Sequence, residues 1–173
     1  MKKLLVTLSI CLLGIVCFLY SIPPKKKVHS LGTKIDKVLV LKSKRQMYLM
    51  EKGVKIKTYQ IALGDDPVGH KVKEGDEKTP EGTYVLDYRN DKSSCYKALH
   101  ISYPNAQDKL KAKQLKVSPG GFIMIHGLHP NIKALGKAHR LYDWTDGCIA
   151  VTNQEMDEIW KYVENGVAIE IRK

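Results

Sequence analysis

The sequence predicts a mainly β domain, sandwich-like or barrel-like, with one clear helix and a second shorter one. Three observations predict it. Short apolar or alternating runs recur between turn residues, the pattern of strands half-buried in an antiparallel sheet. Thr152 and Glu155 have the Thr-x-x-Glu spacing of a capping box, and Met156, Ile159, Trp160 and Val163 follow at i, i+3, i+4 and i+7, an amphipathic helix. The segments between are rich in Gly, Pro and charge, as loops are.

Residues 38–41 are an apolar run, 43–45 can turn the chain, and 47–50 form a second strand closed by Lys52-Gly53. In the third strand Val54, Ile56, Thr58, Gln60 and Ala62 share one face, with Lys55, Lys57 and Tyr59 on the other. Gly64-Asp65-Asp66-Pro67 ends it. Residues 64–82 carry four glycines, two prolines and many charges, a long loop of the kind that is often functional in a compact domain. As a lid, this loop would turn Asp65, Asp66, Glu74, Asp76 and Glu77 toward an amine-bearing substrate; the alternative is a solvated loop. Strands follow at 83–88 and 99–102, then a short helix at 108–115. Pro119-Gly120-Gly121 launches a buried strand at 122–125 that delivers His126-Gly127 at its end. After the capped helix, Asn165-Gly166 leads to a last strand at 167–171.

The 173 residues carry a net charge of +11, and 43% of them are hydrophobic, enough for one core. Lys2 and Lys3 precede 19 uncharged residues, 4–22, which Pro23-Pro24 and Lys25 to Lys27 stop sharply. At about 1.5 Å per residue this apolar helix nearly spans a bilayer core. No small-x-small cleavage site follows it, which favours a signal anchor over a cleaved signal peptide for 1–22. Residues 23–36 read as a linker and 37–173 as one domain. The basic surface suits anionic partners. The lysines are dispersed without an aromatic-rich binding motif, which argues against nucleic acid.

The chemistry lies in Asp143-Trp144-Thr145-Asp146-Gly147-Cys148-Ile149-Ala150-Val151. A cysteine after Gly and before an apolar run sits at a loop-to-strand junction, where backbone N–H groups beside the sulfur can hold an oxyanion. A thiol needs a nearby base to become a nucleophile. His126, 22 residues upstream, is the natural base, and His139, nine residues upstream, a second candidate. The alternative for Cys148 is a disulfide with Cys95; for His126 it is a core histidine. Cys11 and Cys17 are small apolar residues of the leader. His126, His129, His139 and Cys148 lack the compact ligand spacing of a zinc site, so no metal is expected.

Ile125-His126-Gly127, followed by Trp144-Thr145-Asp146-Gly147-Cys148-Ile149-Ala150-Val151, resembles the active-site signature of the L,D-transpeptidase (YkuD-type) family. Val38 to Gly64 and Thr79-Pro80-Glu81-Gly82-Thr83-Tyr84 are similar too, so the resemblance covers nearly the whole domain. It implies a mixed β-sandwich with Cys and His at one end of a cleft, and no cofactor. It implies attack by Cys148 on the diaminopimelate carbonyl of a peptidoglycan stem peptide, with His126 as general base and acid. An amine, or water, resolves the thioester. By that resemblance Gly147 and Cys148 supply oxyanion N–H groups, Gly127 follows the base, and Thr145 shapes the loop. Asp146 stands where His or Asn is frequent, and Ala150 where Arg is frequent; both bear on substrate contacts.

The stretch 139–145 resembles a Gram-negative branch, in which release of an outer-membrane lipoprotein from the wall is the hydrolytic alternative to transfer. A periplasmic domain, tethered through 4–22 or soluble after cleavage, follows from that resemblance. A third reading is a non-catalytic wall-binding module that uses the basic face. His139 and Arg140 are supporting candidates, Arg140 either for a substrate carboxylate or in a surface ion pair. Tyr96 and Tyr103 either stack on substrate or pack the sheet.

Overall fold

The computed structural model describes residues 34–173. The apolar helix over 4–22, the reading of 1–22 as anchor or signal, and most of the linker lie outside the described residues. No helix among the described residues is long and apolar enough to cross a membrane.

Eight strands form one mixed sheet: β1 (Lys37–Leu41), β2 (Gln46–Glu51), β3 (Val54–Gln60), β4 (Gly82–Ser93), β5 (Tyr96–Ile101), β6 (Met124–His126), β7 (Ile149–Ala150) and β8 (Val167–Arg172). Their order is β3-β2-β1-β8-β4-β5-β6-β7. β1 pairs with β8 and β6 with β7 in parallel, and all other pairs are antiparallel. β1 lies between β2 and β8, and both of its faces are covered. That is why Val38, Leu39 and Val40 form a continuous apolar run instead of alternating.

The expected two-layer sandwich is realised as a single curled sheet. Two residues past β3, at one edge, Ala62 pairs with Ala150 of β7, at the other, through N–H···O bonds of 3.1 and 2.9 Å. The edges therefore meet, and the curl removes two unpaired strand borders. Inside lies a core built from every strand, including Val38, Met47, Leu49, Tyr59, Ile125, Ile149 and Ile169.

The third strand corrects the face assignment. A bulge beside Met50 shifts its register, with Leu49 opposite Lys57 but Met50 opposite Lys55. Tyr59 and Ile61 therefore enter the core while Val54 is exposed.

Two helices pack on this sheet. In α1 (Ala106–Gln114) the Asn105 side chain accepts from the N–H groups of Gln107 and Asp108, and Asp108 returns a bond to the Asn105 N–H. In α2 (Asn153–Tyr162) the expected box of Thr152 and Glu155 is made, and Met156, Ile159 and Val163 are buried. Arg89 of β4 donates to the Trp160 and Val163 carbonyls, satisfying the end of α2. Residues 133–141, with no assigned element in the sequence reading, form 3-10 turns broken at Gly136.

Residues 64–81 are a pinned loop. Lys42 is buried and donates to the Gly69 and Thr79 carbonyls and to Glu81. Lys71 is buried against Asp76 at 2.8 Å. Burial pushes the Asp76 pKa up, but bonds from Lys71, Lys73, Val72 and Lys78 outweigh it and hold it at about 2. The expected row of acids facing substrate is thus broken, because Asp76 is spent inside the loop.

Gly64 fixes where this loop passes. A Cβ there would lie 2.0 Å from the Glu77 carbonyl oxygen and 3.0 Å from the Gly147 Cα. Gly64→Ala should therefore cost about 1–3 kcal/mol as overpacking against backbone. Thermal unfolding of the purified protein checks this, and an unchanged midpoint would contradict the close approach.

Candidate active site

β6 and β7 run side by side, with Ile125 opposite Ile149 and His126 opposite Ala150. Cys148 comes two residues before Ala150, so it shares a sheet face with His126 on the neighbouring strand. Met124, which precedes His126 by two residues, is the β6 residue level with Cys148 on that face. Both side chains line one open cavity of about 250 Å³, together with Ser93, Cys95, Met124, Trp144, Thr145 and Asp146.

His126 is 6% exposed, and its Nδ1 lies 2.6 Å from the Gly127 carbonyl oxygen. A carbonyl only accepts, so Nδ1 carries the proton and donates, and Nε2 is left as the acceptor. Burial lowers the His126 pKa, partly offset by the Gly127 bond. Gly127 itself has no room for a side chain: a Cβ would meet Asn153 Oδ1 at 2.7 Å and the Cys95 carbonyl oxygen at 3.2 Å.

Cys148 is a free thiol, as is Cys95, so the pairing considered from the sequence is not made. Its Sγ donates to the Phe122 carbonyl at 3.6 Å. Burial pushes the Cys148 thiol up to about 11; a backbone bond to Met124 and the Lys71 ammonium work against this, and Cys95 and Asp146 add to it. Burial thus favours the neutral form of both the thiol and the imidazole.

The loop before Cys148 is held by Thr145. Its hydroxyl accepts from the Gly147 N–H at 3.2 Å and donates to the Cys148 carbonyl at 2.8 Å. Of the two N–H groups expected to face an oxyanion, that of Gly147 is engaged by Thr145, and that of Cys148 makes no hydrogen bond among the described residues.

The other candidates separate. His139 is 1% exposed, and its Nδ1 accepts from the Trp144 indole N–H at 3.4 Å. The Trp144 ring meets both His139 and His126 edge-on, so His139 acts on the site only through Trp144. Burial, with Arg140 next, lowers the His139 pKa to about 4. Arg140 is committed to Glu155 of the α2 cap, which leaves no guanidinium facing the cavity. Asp146 is exposed at the cavity wall. Tyr103 is buried and donates to the Pro119 carbonyl, and Tyr96 donates to Asp157, so neither lines the cavity. Among the described residues no group of three His, Cys, Asp or Glu is arranged to hold a metal.

Three contributors escaped the sequence reading. Asp143 receives a two-pronged bond from Arg45 and accepts from the Leu63 N–H at 2.9 Å, fixing the chain that leads to Trp144. Asn153 accepts from the Leu128 N–H at 2.7 Å and holds the turn after His126. Lys71, itself paired with Asp76, is the smallest of the influences on the Cys148 thiol and lowers its pKa. Their partners lie tens of residues away, so only Asp143 carried a signal, as part of the stretch before Cys148.

Two outcomes follow. The acid limb of kcat/KM should lie below pH 6.5, because the imidazole loses its proton below its ordinary value, and the rate should stay flat through neutrality. A limb at or above pH 7 would contradict the buried base. Thr145→Val should lower kcat/KM by about tenfold or more through a misplaced nucleophile, while Thr145→Ser retains most activity; steady-state kinetics on both variants decides.

Comparison with known proteins bears on the family and the fold. The chain is 34% identical over 108 residues to YafK of Escherichia coli (strain K12), a protein assigned by name to the L,D-transpeptidases; the match covers 61% of this chain. The chain spans only 36% of the length of that curated relative. The helical cell shape determining protein Pgp2 of Campylobacter jejuni superposes with a TM-score of 0.61 at 26% identity, over 84% of this chain and 54% of that one. Bd1075 of Bdellovibrio bacteriovorus shares the fold, with a TM-score of 0.56 at 23% identity over 83% of this chain and 50% of that one. The model of the L,D-transpeptidase catalytic domain (YkuD) matches residues 35–171, and the chain belongs to that family.

Proposed function

We propose that this protein is a peptidoglycan L,D-transpeptidase with Cys148 as nucleophile and His126 as general base and acid. The observation that carries this reading is the placement of a free thiol and a singly engaged imidazole on adjacent strands, lining one open cavity.

His126 Nε2 takes the thiol proton as Sγ attacks the diaminopimelate carbonyl of a stem peptide. The Cys148 N–H donates to the oxygen as it becomes negative. The C–N bond to the terminal residue breaks, and the imidazolium returns the proton to the departing amine. An acceptor amine then attacks the thioester, gives its proton to His126, and leaves the thiol restored. Water in place of the amine gives the hydrolytic outcome with the same acyl-enzyme, including release of a wall-bound lipoprotein.

Cys148→Ala should abolish turnover while leaving thermal unfolding unchanged, and His126→Gln should lower kcat by about 10²–10⁴. Mass spectrometry of muropeptides incubated with and without an acceptor amine measures both. Turnover retained by Cys148→Ala would refute the nucleophile. Cleaved products alone, with acceptor present, would assign the protein as a hydrolase.

A further inference from the structure

The face of the sheet that carries Cys148 and His126 continues outward across β5 and β4. His100 is opposite Met124, and Ala98 is opposite His126, so His100 lies on the cavity's own face. Tyr88 stacks on His100 with centroids 4.4 Å apart and planes at 15°. Phe122 meets the His100 ring edge-on at 6.4 Å. The ladder reaches the nucleophile directly, because the carbonyl of Phe122 is the acceptor for Cys148 Sγ.

Phe122 is the unusual member. It is 77% exposed and has φ +56, in the left-handed region that bulky residues avoid. Burying such a ring would stabilise the fold, and relaxing the backbone would relieve strain. Neither happens, so the ring stands in solvent on a residue whose carbonyl bonds the thiol. Tyr88 is 39% exposed, and His100 bridges the two rings. At the edge Asp87 Oδ1 lies 2.7 Å from His100 Nδ1, a half-exposed carboxylate next to the rings.

We propose that Tyr88 and Phe122, bridged by His100, form a stacking platform for the sugar chain of the substrate. A pyranose has an apolar C–H face and a rim of hydroxyls. The C–H face suits the negative face of an aromatic ring, and the rim suits a carboxylate at the platform edge. A peptide alone would occupy the cavity and leave these rings uncovered, whereas a peptide still attached to its glycan brings sugars across them. The inference rests on the transpeptidase reading for the identity of the polymer, but the platform itself is testable with sugar alone.

The test uses the full chain in detergent. Peptide-free N-acetylglucosamine oligomers are titrated while tyrosine and phenylalanine resonances are followed by NMR. The wild type should bind, and Tyr88→Ala should weaken binding at least fivefold, with Tyr88→Phe restoring it. In kinetics, the ratio of kcat/KM for a disaccharide-peptide to that for the same peptide without sugar should fall at least fivefold in Tyr88→Ala. No oligomer binding by the wild type, or a ratio unaltered in Tyr88→Ala, overturns the platform. If the wild type turns over neither peptide, the transpeptidase reading fails, and oligomer binding alone decides the platform.

Discussion

The seam between residues 62–65 and 143–150 is the constraint on which the site depends. Ala62 and Ala150 exchange two backbone hydrogen bonds, the Leu63 carbonyl accepts from both Trp144 and Thr145 at 3.1 Å, and the Asp65 N–H donates to the Thr145 carbonyl. Asp143 closes the same seam from its side chain by accepting from the Leu63 N–H. Because these bonds join opposite edges of the sheet, the curl and the loop before Cys148 are one feature. Cys148 sits between the last anchored residue of that loop, Thr145, and the first residue of β7. Freedom at Cys148 is thus limited at both ends, as the proposed role of nucleophile requires when misplacement of about 1 Å costs about a hundredfold.

Burial then sets the chemistry. The same closure buries His126 and half-buries Cys148, and desolvation favours the neutral form of each. A preformed thiolate–imidazolium pair is therefore disfavoured at rest. The strong bond from Nδ1 to the Gly127 carbonyl compensates, since it holds the tautomer whose Nε2 accepts a proton. Trp144, braced by His139, lines the cavity and meets the His126 ring edge-on. His139 and Arg140 hold an indole and a helix cap, and neither lines the cavity.

Much of this was legible in the sequence where short-range rules operate. The capping box of Thr152 and Glu155 and the stripe it starts depend on spacing within one helix, and both are present. His126 at a strand end and Cys148 at a loop-to-strand junction follow from Gly placement and apolar runs. What escaped depends on distant partners. The bulge at Met50 reversed the faces of β3, and no local pattern announces a bulge. The engagement of the Gly147 N–H by Thr145 needed the turn geometry. The charge-rich stretch 64–81 read as a free loop because charges normally mark solvent, yet Lys42 and Lys71 are buried with carbonyl and carboxylate partners that make them structural.

That pinned loop bears on how acceptor and water compete. A thioester survives to meet an amine only if water is slow to reach it, and many enzymes ensure this by closing a flap. Here the segment best placed to act as one is held by two buried lysines, by the Gly64 N–H donating to Thr79 Oγ1, and by the contact of Gly64 with Gly147. Moving it would expose an ammonium and its carboxylate together and drag the nucleophile's own loop. With closure so costly, on the proposed reading the discrimination between amine and water passes to binding: an acceptor must hold the cavity mouth long enough to displace water.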